Sequence, residues 1–203
     1  MKKWDVLADE QSIQKAVTSL KANGIEVFVV ENGKEAKKKI LELIPKGSQV
    51  MTATSQTINQ IGLSQAIDES GDYRSTRKEI VSLSESEARN AARRINTTVE
   101  YVVGSVHAVT EDGKVIIASN TGSQLPAYAF SAEHVIWVVG TQKITKDLDE
   151  GIERLYEYVL KLESERLKKQ YGVPSNVSKL LIVNKEINPD RIKMVLIKEK
   201  LGF

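Results

Sequence analysis

Three short polar stretches carry the residue types that bind anions: Thr54-Ser55-Gln56-Thr57, Asn120-Thr121-Gly122-Ser123-Gln124 and Gly140-Thr141-Gln142-Lys143. Each follows an apolar run that reads as a β-strand, and two of them lead closely into a helix. Hydroxyls, side-chain amides, backbone N–H groups at helix starts and an ammonium are what a carboxylate or phosphate requires. Gly122 lets the backbone approach such a ligand, and Lys143 supplies positive charge. Taken singly, each stretch also admits a structural role. Ser55, Thr57 and Ser123 are good helix N-caps, and Gly122 suits a turn with positive φ. Their shared placement after strands, on the rim where open α/β sheets take ligands, points to one anion site.

Groups that could move a proton are few. His107 precedes Glu111-Asp112-Gly113, and His134 directly precedes the apolar run Val135–Val139. His107 and Glu111 are the candidates for a general base near the polar stretches, with packing and turn formation as the simpler roles. Two histidines without H-x-x-x-H or H-x-H spacing make no metal site, and the residues assign no cofactor. The chain has no cysteine, so it offers no disulfide, thiolate nucleophile or thiolate-held iron–sulfur cluster. G-x-G-x-x-G, G-x-x-x-x-G-K-[ST] and G-x-S-x-G are all absent.

The elements that must position these groups follow from periodicity. Ile13, Ala16, Val17 and Leu20 recur at helical spacing before the stop Asn23-Gly24. Ile25–Val30 then reads as a strand buried on both faces. A second helical stripe (Ala36, Ile40, Leu43, Ile44) precedes the strand Gln49–Ala53. Such alternation predicts a mostly parallel α/β sheet flanked by helices. Asp68–Ser84 carries no clear pattern, and Glu85–Ile95 predicts a helix. Tyr101–Thr110 and Lys114–Ser119 flank Asp112-Gly113, which predicts an antiparallel hairpin inserted in that sheet. Gln124–Ser131 predicts a short helix and Val135–Val139 a buried strand. Asp147–Tyr171 predicts one long helix with Leu148, Ile152, Leu155, Val159 and Leu162 on one face, a candidate homodimer surface. Leu180–Val183 and Met194–Ile197 predict closing strands.

Composition sets the bounds. With 203 residues and a formal charge of +2, the chain suits a single domain over 1–203 and gives no electrostatic case for nucleic acid. Trp4-Asp5 stands where a signal peptide needs an apolar stretch, and no run is long enough to cross a bilayer, so a cytoplasmic protein without membrane contact is expected.

One resemblance goes further. Tyr101-Val-Val-Gly-Ser-Val-His-Ala-Val-Thr-Glu-Asp-Gly113 resembles the "G-x-N-A-I-T-E-D-G" hairpin of the LUD domain family, the lactate-utilisation proteins and their relatives. Ser119–Gln124 is similar to that family's "D-T-G-S" loop, and Val135–Arg154 to "V-I-x-V-V-G-x-N-K-I-V-x-D-L-x-E-A-I-x-R". Arg191–Phe203 resembles the closing "R-I-K-V-I-L-V-G-E-x-L-G-F/Y", and Thr54–Gly62 matches "S-x-T-L-x-E-x-G" at Ser55, Thr57 and Gly62. The resemblance implies the fold of glucosamine-phosphate deaminases, ribose-phosphate isomerases and CoA transferases, with ligands bound by Ser/Thr/Gly loops at strand ends. It implies a component of lactate or related organic-acid utilisation that binds a small anionic ligand, working with iron–sulfur-carrying partner subunits. Alternatives are a stand-alone isomerase, transferase or hydrolase acting on a phosphorylated or CoA-linked molecule, and a non-catalytic ligand-sensing module. His107 and Gln142 depart from the family's usual Asn at both positions, Gln124 stands where relatives with a "D-G-x-G-N-R" loop have Arg, and Gln170–Asn188 lacks the cysteines of many relatives.

Overall fold

The computed structural model describes residues 4–95 and 97–203, with the backbone alone at 85, 86 and 89. Its strands are β1 (Glu26–Val30), β2 (Gln49–Thr52), β3 (Arg74–Ser75), β4 (Tyr101–Gly104), β5 (Ala108–Thr110), β6 (Val115–Ser119), β7 (His134–Gly140), β8 (Ile144–Thr145), β9 (Lys179–Val183) and β10 (Ile192–Ile197). The helices are α1 (Glu10–Ala22), α2 (Gly33–Leu43), α3 (Gln56–Gln60), α4 (Leu63–Asp68), α5 (Thr76–Val81), α6 (Glu85–Ile95), α7 (Leu148–Arg154) and α8 (Leu160–Tyr171).

The run Val135–Val139 sits at the centre because it is apolar on both sides of the pleat. Val135, Trp137 and Val139 enter one core, and Ile136 and Val138 enter the other. β7 lies between β10 and β4 in a six-stranded sheet of order β1-β10-β7-β4-β2-β3, parallel throughout. On one face α2, α3 and α4 contribute Ala36, Ile40, Ile58, Leu63 and Ile67. On the other, Ile13, Ala16, Val17 and Leu20 of α1 share a core with a second sheet, of order β8-β5-β6-β9. The second sheet turns Val109, Val115 and Ile117 towards the first, and Ala108, Ile116 and Ala118 towards Leu155 and Val159. The layers are therefore helix, large sheet, small sheet with α1, and helix.

Several elements depart from expectation. Tyr101–Thr110 is not one strand. β4 belongs to the large sheet and β5 to the small one, and the chain crosses between them at Ser105-Val106-His107. The expected hairpin is thus β5–β6, turned at Gly113 (φ +83°), where the tight turn packs against Ser19 of α1. β1 is an edge strand, with Val29 40% exposed, because an apolar run does not reveal which side lacks a neighbouring strand. The long helix starts on Asp147, whose carboxylate accepts from the Glu150 N–H (3.0 Å), but a π-helical turn at Leu155–Val159 divides it. Gln124–Ser131 is helical only briefly before another π turn, Ala127–Ser131. β3 and α5 lie within the unpatterned stretch. No helix of the described residues is long and apolar enough to cross a membrane.

Candidate functional site

Parallel pairing brings the carboxyl ends of β2, β4, β7 and β10 to one edge of the large sheet, so the segments that follow them meet there. After β4, the crossing Ser105–His107 is fixed by two bonds. The His107 N–H donates to the Ile116 carbonyl (2.9 Å), and Nη1 of the fully buried Arg154 donates to the His107 carbonyl (2.5 Å). After β7, a single 3₁₀ turn (Thr141–Lys143) folds Lys143 under this crossing. Lys143 is 2% exposed. Its Nζ lies 3.0 Å from Thr57 Oγ1, 3.0 Å from Ser105 Oγ and 3.2 Å from the Val106 carbonyl oxygen. After β2, α3 presents Thr57, whose hydroxyl donates to the Leu201 carbonyl (3.3 Å). Gln142 Nε2 donates to the same carbonyl (2.7 Å), so the segment after β10 packs against Thr57 and Lys143 at Leu201 and Gly202 and lines the cavity at Phe203.

The electrostatics follow from burial. Lys143 has hydroxyl and carbonyl partners and no carboxylate among the described residues. Desolvation, and secondarily Arg154, push its pKa down to about 7. His107 is pushed to about 3 by burial, then by Lys143 and Arg154. Its Nδ1 accepts from the Ala118 N–H (3.0 Å), so the neutral ring carries its proton on Nε2 and is a donor there. Tyr128 raises a further donor. Its hydroxyl is buried without a partner among the described residues, and burial lifts its pKa.

Of the expected ligand residues, Ser55, Thr57, Asn120, Thr121, Ser123, Gln124 and Lys143 line one cavity of about 690 Å³, and so does His107. Ser55 makes no side-chain capping bond to α3, so its capping role is not realised. The 119–124 loop is tied within itself, with the Gly122 N–H donating to Ser119 Oγ (2.8 Å) and Ser119 Oγ to Gln124 Oε1 (3.0 Å). Gly122 shapes that turn (φ +85°) beneath the Lys179 side chain rather than lining the cavity. Glu111 is not brought to this site. It pairs with Lys15 of α1 (3.0 Å), which with Ser12 holds its carboxyl below the usual range.

Sequence reasoning missed Ser105, Tyr128, Arg77 and the outer wall. Ser105 was hidden inside an apparently continuous strand, although the glycine before it signals a break. Arg77 of α5 stands at the wall 3.6 Å from Asp68. The face of α8 closes the other side, where Glu163, the one acidic residue among the described lining, is gripped by Arg166 (2.7 and 2.8 Å). With that pair neutralised and Arg77 paired with Asp68, Lys143 is the charged side chain of the described lining that has no opposite charge beside it. Among the described residues, no three His, Asp or Glu side chains converge as a metal site.

The sequence profile of the LUD domain matches residues 13–197. A DUF162 family protein from Deinococcus radiodurans overlays with a TM-score of 0.57 at 14% identity, covering 95% of this chain and 99% of that one, which shows a shared fold. An eIF2B beta from Chaetomium thermophilum overlays with a TM-score of 0.41 at 12% identity, covering 58% of this chain and 44% of that one. Ribose 5-phosphate isomerase A from Methanocaldococcus jannaschii gives 0.37 at 17% identity, covering 66% of each chain. No curated protein matches the sequence.

Proposed function

The chain belongs to the LUD domain family, and we propose that it binds a small anionic organic molecule in the cavity at the ends of β2, β4 and β7, as a component of lactate or related organic-acid utilisation. Lys143 carries the reading. An ammonium buried without an opposite charge is costly, and an anion entering the cavity relieves that cost. Because its Nζ already meets three protein oxygens, Lys143 acts mainly through its field. Direct contacts fall to the hydroxyls of Ser55, Ser105, Thr121 and Ser123, to the amides of Asn120 and Gln124, and to Arg77. A cavity of about 690 Å³ is larger than a three-carbon acid fills and suits a drug-sized ligand. That size supports a phosphorylated or CoA-linked organic acid over free lactate. Any redox step would be shared with cluster-carrying partner subunits, since this chain has no thiolate to offer.

A thermal-shift panel of L-lactate, ribose 5-phosphate, coenzyme A, ATP and a folate tests this reading in wild type and Lys143→Met. A ligand at about 100 times its Kd adds ~2.7 kcal/mol, which is roughly 5–11 °C for a chain of this size. A hit in wild type that is lost in Lys143→Met supports the site. Hits of equal size in both proteins would move it elsewhere.

A further inference from the structure

The oxygens around Lys143 permit a complete proton inventory. Thr57 spends its hydroxyl hydrogen on the Leu201 carbonyl (3.3 Å), so its oxygen can only accept from Lys143. The Val106 carbonyl also only accepts. A neutral Lys143 amine therefore directs its two hydrogens to Thr57 and Val106, and its lone pair faces the third neighbour, Ser105 Oγ, at 3.0 Å. Among the described residues the other acceptor of the Ser105 hydroxyl, the Val106 carbonyl, is farther away at 3.5 Å than Lys143 Nζ at 3.0 Å. When protonated, the same amine donates to all three. The nest thus holds both protonation states of Lys143 with no rearrangement, and the group that exchanges a proton with it is a serine on the cavity wall. Burial with Arg154 of α7 and neutral His107 of the crossing nearby, and no carboxylate among the described residues, keeps a free amine populated near neutral pH.

We propose that Ser105 and Lys143 form a nucleophile–base dyad that hydrolyses an oxygen ester or thioester of the anionic organic acid bound in this cavity. The proposal rests on the anion-binding reading above. Ser105 Oγ adds to the acyl carbonyl as Lys143 takes its proton. The carbon–oxygen or carbon–sulfur bond then breaks, and the leaving alkoxide or thiolate takes that proton from Lys143. Water, deprotonated by Lys143, attacks the acyl-Ser105 ester; the acyl carbon–Oγ bond breaks, the Ser105 alkoxide takes that proton from Lys143, and the carboxylic acid leaves. No oxidant or reductant enters. His107, which lines the cavity and makes no hydrogen bond through Nε2–H among the described residues, can donate to the developing oxyanion, and behind the wall lies a second donor, the fully buried Tyr128 hydroxyl. The latter rests on Gly104, the residue before the nucleophile, where a Cβ would overlap it.

The test offers p-nitrophenyl acetate and acetyl coenzyme A to wild type, Ser105→Ala and Lys143→Met, following nitrophenol or thiol release. Acid-quenched samples are digested and mapped for acetylation, and coenzyme A binding is read in parallel by thermal shift. The expected result is acetyl on Ser105 and turnover that rises with pH through about 7 in wild type. Ser105→Ala should lose the adduct and at least ~100-fold in rate. Turnover equal in wild type and Ser105→Ala overturns the dyad. So does coenzyme A binding without turnover, which leaves the anion site standing. Neither binding nor turnover overturns the dyad, and the anion reading falls with it if the rest of the ligand panel is also without effect.

Discussion

Lys143 releases its proton at about 7 in the folded chain, against an ordinary value of 10.5. Between these values the unfolded chain binds more protons than the folded one, so stability rises with pH across that window, and below it the full cost of the buried charge is present. At about 1.4 kcal/mol per unit, this cost is on the order of a few kcal/mol. Lys143→Met, which cannot titrate there, should therefore gain on wild type most near pH ~6, and that relative gain should shrink as pH approaches ~10; urea titrations across the range measure it. His107 has the same sign at lower pH. Its folded value of about 3 against an ordinary 6.5 means that acidification below 6.5 costs stability, and His107→Asn should move the acid-unfolding midpoint, followed by circular dichroism, to lower pH. Gly104→Ala would drive a methyl into the Tyr128 hydroxyl and against Ala53, at a cost of roughly 1–3 kcal/mol. An unchanged urea midpoint would contradict that packing. At this scale the loop residues were legible because hydroxyls, amides and a lysine advertise themselves by type. Ser105, Tyr128 and Arg77 were not, because their role depends on where the chain turns rather than on local composition.

Among the elements, the long helix divides at its π turn into two unlike halves. Leu155 and Val159, within that turn, are 1% and 2% exposed against the small sheet, whereas α8 has no buried residue at all. Leu155→Ala should therefore cost about 2–5 kcal/mol, and Leu162→Ala on α8 less than about 1 kcal/mol. Amide exchange should be faster along α8 than α7, and should slow on α8 when a ligand fills the cavity it walls. Uniform protection across both halves would contradict this. The helix itself was plain from its apolar stripe and its Asp147 cap. The π turn was not, since a stripe with 3.6 periodicity continues through it without a break. The crossing at Ser105–His107 escaped for a related reason. Apolar residues on both sides of it serve two different sheets, and composition alone does not separate them.

For the molecule as a whole, the alternation of helix and strand was enough to expect a mostly parallel sheet, and β7 lies at its centre, flanked by β10 and β4, as its β-branched run requires. The second sheet was not legible, because β8, β5, β6 and β9 come from distant parts of the chain and two of them are short. Stacking the small sheet between the large one and α7 is what brings the 119–124 loop over Lys143, and it turns three separate polar stretches into one cavity. The central claim is that Lys143 gives this cavity its affinity for anions. Its most direct test is a calorimetric titration of wild type and Lys143→Met with the panel member giving the largest thermal shift, at several pH values spanning about 7. Tighter binding to wild type below that value, weakening above it relative to a variant that binds poorly throughout, is the predicted result. Equal affinity and the same pH dependence in both proteins would contradict it.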